Sequence, residues 1–218
     1  MENPSLLITE VENWKEVPSL IYELQTIQEP VQWADLFPDR PSQPIEVELG
    51  SGDGTFLMDY ASSRPEINVV GLERLMGRVT KTDRKSRRRG LKNLRMVRLE
   101  AWYWTRYMVP PGSVSAIHLY FPDPWPKRKH HKRRLVSPGF PEVVEQALTA
   151  DGRIYLRTDH REYFEQMVEV FGAASGFRRA ETPGSILSIL TDFERGFLEK
   201  GISTCHACYE KIEPQQPD

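Results

Sequence analysis

The chain between residues 44 and 158 alternates short, almost continuous apolar runs with stretches of helical periodicity. Uninterrupted apolar runs of this kind are typical of strands that are buried on both faces of a parallel sheet. They predict strands at residues 45–49, 67–72, 94–99, 114–121 and 153–158. Helices are predicted near residues 55–62, 76–89, 141–149 and 161–171. This order predicts a doubly wound α/β fold, with helices on both faces of a mostly parallel sheet.

The segments on either side of this region are less regular. Residues 1–43 carry several prolines and a small apolar cluster at Leu20, Ile21 and Leu24, which predicts an N-terminal extension with one short helix. Residues 44–218 then form the main domain, which is long enough for a full hydrophobic core. We expect residues 185–212 to supply two further strands.

The composition, 39% hydrophobic and 28% charged, is that of a soluble globular protein. No apolar stretch is long enough to span a bilayer and residues 1–16 lack a signal-peptide pattern, so we expect a cytoplasmic protein without a membrane partner. The two cysteines, Cys205 and Cys208, imply no disulfide framework. Because no second cysteine pair completes a zinc site, we expect them to pack in an edge strand and to bind no metal.

The net charge of −2 conceals two strongly basic segments. Residues 78–98 contain ten basic residues and one acid, Asp83, and residues 127–134 contain six basic residues and no acid. Acidic partners are missing at the helical spacings that would neutralise these cations locally. Segregated positive charge repels itself unless it faces a polyanion, and nucleic-acid phosphates are the usual one. The charge pattern therefore predicts a nucleic-acid partner.

A glycine-rich loop follows the first predicted strand. Gly50, Gly52 and Gly54 come directly after Glu48-Leu49 and before a helical stretch, where the backbone can approach a bound nucleoside closely. The third glycine comes one residue earlier than in the dinucleotide fingerprint G-x-G-x-x-G. An acidic residue before the loop does not suit a pyrophosphate, but it suits a positively charged ligand. S-adenosylmethionine, with its sulfonium and ammonium groups, is such a ligand.

Two further acidic residues end the next two predicted strands. Glu73 follows the glycine loop by about twenty residues, the spacing at which a carboxylate accepts both ribose hydroxyls of a nucleoside. Glu100 ends the third strand, where it can meet the adenine amino group. Because the carboxyl ends of parallel strands meet at one edge of the sheet, these acids and the glycine loop predict a single cofactor site.

The fourth predicted strand runs into a proline-rich loop, Phe121-Pro122-Asp123-Pro124-Trp125-Pro126, which is followed by the second basic segment. The prolines hold Asp123 and Trp125 at the sheet edge, facing the glycine loop. A fixed carboxylate can accept hydrogen bonds from the edge of a guanine, an aromatic ring offers a stacking surface, and the cations anchor phosphates. The loop therefore predicts a purine site beside the cofactor.

Together these motifs resemble the bacterial tRNA (guanine-N7)-methyltransferase family, over roughly residues 44–201. The resemblance rests on Glu48-Leu49-Gly50, Gly71-Leu72-Glu73, Phe121-Pro122-Asp123-Pro124-Trp125 with Lys127 and residues 130–134, Thr158-Asp159-His160 and Thr191-Asp192-Phe193-Glu194. The most specific of these is the Pro-Asp-Pro-Trp block with its basic run. The resemblance implies a Rossmann-like methyltransferase fold, S-adenosylmethionine as methyl donor, and methylation of the variable-loop guanosine, position 46, of tRNA.

The resemblance also implies roles for the matching residues. Cofactor binding is implied for Glu48, Glu73, Glu100 and Asp123, and the glycine loop, Gly50, Gly52 and Gly54, completes that site. Substrate binding is implied for Lys127, Lys129, Arg133, Arg134, Asp159, Thr191 and Glu194. The sequence departs from the family pattern at Glu100, where Asp is usual, and at Asp192, where a basic residue is common. The family's N-terminal segment with Arg and Gln is not evident before Trp33.

Guanine N7 carries a lone pair and no proton, so we expect positioning, rather than a general base, to supply most of the rate. Asp123 is the predicted catalytic residue, because a fixed carboxylate near the base stabilises the positive charge that the purine acquires. A methyltransferase of another RNA or of an exocyclic amine, and an RNA-binding partner subunit without turnover, stay open as alternatives. The glycine spacing disfavours a nicotinamide-dependent dehydrogenase. We expect a monomer or a homodimer.

Overall fold

The computed structural model describes residues 11–212, and its core is one seven-stranded sheet. The strands are β1 (Ile45–Leu49), β2 (Asn68–Leu72), β3 (Leu94–Val97), β4 (Val114–Tyr120), β5 (Leu148–Thr158), β6 (Phe177–Ala180) and β7 (Cys205–Lys211). Their order across the sheet is β3-β2-β1-β4-β5-β7-β6. Strands β1 to β5 pair in parallel, and β7 runs antiparallel to β5 and β6. The predicted α/β fold with a mostly parallel sheet is confirmed.

Helices cover both faces of this sheet. They are α1 (Trp33–Leu36), α2 (Thr55–Ser63), α3 (Met76–Arg88), α4 (Ala101–Tyr103), α5 (Phe140–Ala147), α6 (Arg161–Gly172), α7 (Gly184–Leu187) and α8 (Asp192–Glu199). Helix α4 continues as a π-helical turn over Trp104–Met108, and 3-10 turns lie at Trp14–Glu16 and Arg128–Arg133. Apolar side chains of α4, α5 and α6 pack in a core on one face, and those of α2, α3 and α7 pack in a second core on the other.

Two of the predicted strand assignments differ from the structure. Strand β5 begins at Leu148 rather than at residue 153. The expectation of two strands within residues 185–212 is wrong, because the segment forms most of α7, all of α8, and a single strand, β7. A capping box explains α8: the Thr191 hydroxyl accepts from the Glu194 backbone N–H, and the Glu194 carboxylate accepts from the Thr191 backbone N–H.

Strand β1 lies near the middle of the sheet, between β2 and β4, and the chain order reverses there. At the carboxyl end of β1, Glu48 is level with Gly71 of β2 and His118 of β4. In open α/β sheets, ligands bind outside the carboxyl ends of the strands at such a switch point. The topology therefore places the loops after β1, β2 and β4 around one candidate site.

The described part of the N-terminal extension packs along the edge of β3. The Tyr22 backbone N–H donates to the Met96 carbonyl, and the Met96 N–H donates to the Leu20 carbonyl, both at 2.8 Å. Leu36 of α1 and the following Phe37 are each 1% exposed and belong to the core of the main domain. Residues 1–10 of the predicted extension and residues 213–218 of the predicted domain lie outside the described residues.

Both cysteines lie in β7, which pairs with β5 on one side and β6 on the other, so the expectation that they lie in an edge strand is wrong. Cys205 and Cys208 are separated by an odd number of positions, so their side chains point to opposite faces of the sheet. Burial raises the pKa of the Cys208 thiol to about 11. Within residues 11–212, no three metal-ligating side chains come together. In the same range, no helix has the length and apolar character that crossing a bilayer requires.

Candidate functional site

A cleft of about 1180 Å³ opens at the carboxyl edge of the sheet. Its walls come from the loop after β1, the ends of β2 and β3, residues 119–137, and residues 191–193 at the start of α8. Of the predicted site residues, the cleft brings together Glu48, Gly50, Gly52, Glu73, Glu100, Asp123, Arg133, Arg134 and Thr191. It does not include Gly54, Lys127, Lys129, Asp159 or Glu194.

The glycine loop forms an open cradle on the β1 side of the cleft. A Cβ at Gly50 or Gly52 would meet no heavy atom within 4 Å, so both residues leave their space to the cleft. All three glycines have a positive φ, but Gly54 differs in its packing, because a Cβ there would clash with the side chain of Thr82 in α3. Glycine is therefore required at Gly54 for the left-handed turn and the close packing of α2 on α3.

Glu48 is the buried acid at the floor of the cleft. It is 3% exposed, and its Oε2 atom accepts no hydrogen bond from any residue between 11 and 212. Burial raises the pKa of Glu48 to about 8, although the nearby positive charge of Arg157 acts in the opposite direction. A buried carboxylate without a donor is unfavourable by itself. A bound cation would satisfy it, and the ammonium group of S-adenosylmethionine fits this requirement.

Glu73 and Glu100 lie at the ends of β2 and β3, on the neighbouring wall. Glu73 is 8% exposed, accepts from the Leu75 backbone N–H at 2.8 Å, and lies 3.6 Å from Arg78. Both oxygens of Glu100 accept backbone N–H groups, from Trp102 at 3.0 Å and Tyr103 at 2.8 Å. Glu100 is thus the N-cap of α4 as well as a wall residue.

The loop after β4 contains two strained aromatic residues. Phe121 has a φ of 51° and Trp125 a φ of 44°, and within residues 11–212 these are the non-glycine residues with positive φ. A bulky residue in this conformation costs on the order of 1–3 kcal/mol, and such strain is typical of functional sites. Between them, Asp123 is exposed to the cleft and makes no hydrogen bond or ion pair with any described residue. Its carboxylate is available to a ligand.

The second basic segment forms the 3-10 turn Arg128–Arg133 beside this loop. Lys127 and Lys129 are exposed, and the Arg133 guanidinium lies 4.9 Å from the centre of the Trp125 ring. Arg134 differs, because it is 3% exposed. It donates to the Pro124 carbonyl at 2.7 Å and to Gln166 at 2.6 Å. Arg134 therefore stabilises the loop that carries Asp123 through a hydrogen bond to its backbone.

Several cations of the first basic segment, residues 78–98, form ion pairs that the sequence did not predict. In α3 and just after it, Lys81 pairs with Asp53 at 2.8 Å and Arg89 pairs with Asp59 at 2.7 Å. These acids lie in the glycine loop and in α2, so the chain path supplies partners in addition to Asp83, which pairs with Arg87 at helical spacing, 3.5 Å away. The expectation of unpaired cations along this whole segment is therefore wrong. Residues such as Arg84 remain exposed.

The remaining predicted substrate residues lie around the start of α8 and the end of β5. Thr191 lines the cleft, and Asp159 is exposed just beyond β5. Glu194 is 5% exposed, and its carboxylate faces the buried Arg157 at 2.8 Å. Asp192, one of the departures from the family pattern, accepts from the Thr55 hydroxyl at 2.6 Å and so ties α8 to α2. Sequence reasoning missed Arg157 because its partner is far away in the chain.

Known proteins resemble this chain in sequence and in fold. The family model described as "Putative methyltransferase" matches residues 42–207. A tRNA (guanine-N(7)-)-methyltransferase of Chromohalobacter salexigens is 37% identical, over 78% of this chain and 72% of its own length. The enzyme of the same name from Photobacterium profundum is 35% identical, over 74% of this chain and 65% of its own length. The crystal structure of the 16S rRNA methyltransferase KamB covers 85% of this chain and 96% of its own, with 16% identity and a TM-score of 0.62, a likeness of fold.

Proposed function

Because the chain belongs to the tRNA (guanine-N7)-methyltransferase family, we propose that it transfers the methyl group of S-adenosylmethionine to N7 of guanosine 46 in the variable loop of tRNA. One observation carries the proposal: one cleft contains two carboxylates, one buried and one exposed, to which no residue between 11 and 212 donates a hydrogen bond. Glu48 is buried beside an open glycine cradle, and Asp123 is exposed on a strained loop next to a basic turn. The first suits a cationic cofactor and the second suits a purine.

Several residues of the cleft would hold the cofactor. The glycine cradle admits a nucleoside, Glu48 would face the ammonium group, Glu73 would accept the ribose hydroxyls, and Glu100 would lie on the adenine side. When bound, S-adenosylmethionine supplies an electrophilic methyl group on its sulfonium. The residues present therefore fit the cofactor, with each acid at a different strand end.

The chemistry of the acceptor assigns the chain a positioning role. N7 of guanine is an acceptor without a proton, so no residue has to remove one. Holding the base in line with the methyl group converts a two-molecule reaction into an effectively intramolecular one, worth on the order of 7–11 kcal/mol. The Asp123 carboxylate lines the cleft, and near the bound base it would stabilise the positive charge that the purine acquires. Trp125 and Phe193 line the same cleft and offer it aromatic surface.

The RNA backbone would be held by exposed cations around the mouth of the cleft. Lys127, Lys129 and Arg133 are exposed in or beside the 3-10 turn, next to Asp123. The target guanosine has to leave its stack to reach the carboxylate, at a cost of a few kcal/mol. Phosphate contacts on both sides of the extruded nucleotide would offset that cost.

The test is methyl transfer from labelled S-adenosylmethionine to an unmodified tRNA transcript, followed by strand scission at 7-methylguanosine. We expect one break, at guanosine 46. A transcript with adenosine at that position is the matched control and should give neither label nor break. Label without scission would indicate an exocyclic amine as the acceptor, and a break elsewhere would indicate another guanosine.

We also propose that the enzyme works in the cytoplasm, where its tRNA substrate is found, as a monomer or homodimer. Light scattering after size-exclusion chromatography decides between the two oligomeric states, and a larger assembly would contradict both.

A further inference from the structure

Arg157 is a buried cation directly beneath the cleft. It is 1% exposed, and its guanidinium carbon lies 4.3 Å from the centre of the Tyr120 ring and 5.6 Å from that of Phe56. Both rings line the cleft, so the charge lies under its floor. Burying an arginine is unfavourable unless its donors are well paired. The groups that pair with Arg157 therefore indicate why it lies there.

The side chain of Arg157 binds one segment, residues 184–199, which we call the C-terminal arm. Its Nη1 atom donates to the Ile189 carbonyl at 2.9 Å and to the Glu194 carboxylate at 2.8 Å, and its Nη2 atom donates to the Ile186 carbonyl. The same Glu194 oxygen accepts from the Thr191 backbone N–H at 2.9 Å. One guanidinium thus fixes α7, the turn after it and the first turn of α8.

The main chain of Arg157 also holds the loop after β4. Its carbonyl accepts from the Phe121 backbone N–H at 2.8 Å, and Phe121 is the strained first residue of the loop that carries Asp123. The arm supplies Thr191, Asp192 and Phe193 to the cleft. Arg157 therefore contacts both the arm and the Asp123 loop, and it adds to the direct packing of the Phe121 ring on Phe193 and Phe197 of the arm, at 5.8 and 5.7 Å between ring centres.

We propose that Arg157 and Glu194 are a positioning pair, which holds the C-terminal arm against the cleft in the geometry that the tRNA substrate needs. Glu194 then acts through Arg157 and the arm, and does not contact the substrate. The proposal deepens the proposed function and rests on it for its kinetic consequences. Its structural consequence, a fixed arm, is independent of the substrate.

The structural test is amide hydrogen exchange in the free protein. Arg157→Met keeps an unbranched apolar side chain but removes the guanidinium donors, so we expect faster exchange across residues 184–199 and unchanged exchange in β1 to β3. Arg195→Met is the matched control, because it removes an exposed ion pair between α8 and Asp59. It should change exchange little. Unchanged exchange of the arm in Arg157→Met would overturn the proposal.

The kinetic test is a double-mutant cycle at saturating S-adenosylmethionine. A misplaced arm should lower kcat/KM for tRNA on the order of 100-fold in Arg157→Met and in Glu194→Met. Residues that act as one unit give non-additive losses, so the double variant should be no worse than the worse single variant. Losses that multiply would mean that Glu194 contacts the substrate itself, which contradicts the proposal.

Conservative variants keep the test decisive if a methionine variant does not fold. Glu194→Gln retains an acceptor for Arg157 and Thr191 and should keep most of the activity, whereas a direct ionic contact with the substrate would lose it. Arg157→Lys retains the positive charge but loses the planar set of guanidinium donors. It should increase hydrogen exchange in the arm while the protein stays folded. If the unaltered chain methylates no tRNA, the proposed function fails, and the exchange experiment still decides whether Arg157 fixes the arm.

Discussion

We expect Asp123 to be the catalytic residue because its carboxylate is exposed to the cleft and has no hydrogen-bond or ion-pair partner among the described residues. Asp123→Asn removes the charge and keeps the shape. We expect turnover at saturating cofactor and tRNA to fall about 100-fold, because an electrostatic contribution to the transition state is lost. Affinity for S-adenosylmethionine should change little. Asp151→Asn, which alters an exposed carboxylate remote from the cleft, is the control.

A different result would contradict the catalytic role of Asp123. A collapse of cofactor affinity, with normal turnover at saturation, would make Asp123 a cofactor ligand and not the catalytic residue. Equilibrium titration of the cofactor and steady-state kinetics on the same variant separate these two outcomes.

Glu48 makes cofactor binding dependent on pH. Burial raises its pKa to about 8, so in the free protein the carboxyl group is mostly neutral at pH 7. A cationic ligand prefers the ionised form, and its affinity should therefore rise about tenfold per pH unit below that pKa. We expect this rise in a titration with S-adenosylmethionine between about pH 6 and 7.5, below the range in which an α-amino group loses its own proton.

Glu48→Gln is the matched variant for that titration. It should bind the cofactor more weakly and show no dependence on pH, whereas a flat profile in the unaltered protein would contradict the assignment. The stability of the free protein should also depend on pH. A carboxyl group whose pKa is raised on folding stays protonated up to a higher pH in the folded state than in the unfolded state. The free energy of unfolding should therefore fall as pH rises from about 4.5 towards 8, and Glu48→Gln should remove that fall.

At the scale of elements, the two basic segments are not equivalent. The 3-10 turn Arg128–Arg133 and the residue before it present exposed cations, whereas Lys81 and Arg89 of the first segment are paired with Asp53 and Asp59. A cation that contacts a phosphate releases counterions when RNA binds, so Lys129→Ala should reduce the slope of log affinity against log salt by about 1. Arg89→Ala removes the same charge and should leave the slope unchanged. Equal effects of the two variants would indicate that both segments contact RNA.

At the scale of the whole molecule, the described part of the N-terminal extension contributes to the core. Phe37 is 1% exposed and packs in the same core as strands β1 and β4. Phe37→Ala should lower the free energy of unfolding by about 3–5 kcal/mol, since it leaves a cavity among well-packed neighbours. Denaturant unfolding measures the loss, and Gln32→Ala, at an exposed position beside α1, should cost little. A small effect of Phe37→Ala would indicate that the extension is separable from residues 44–218.

The sequence by itself determined the features that depend on neighbours in the chain. Apolar runs gave the five parallel strands within a few residues, except at the start of β5, because burial on both faces of a strand is visible in a short window. Strand order then brings Glu48, Glu73 and Glu100 to one edge, since parallel strands all end there. The proline-rich loop identified Asp123 for the same reason: its stiffness is a local property of the chain.

Only the tertiary structure decided which charges are free and which are paired. Arg157 and Glu194 are 37 positions apart, and Thr55 and Asp192 are 137 apart, so no periodicity connects either pair. Likewise, Lys81 finds Asp53 through the packing of α3 on the glycine loop, and Glu194 turns from a predicted substrate contact into a proposed support of the arm. The physical reason is that an ion pair needs two side chains within a few ångströms, and the path of the whole chain sets that distance.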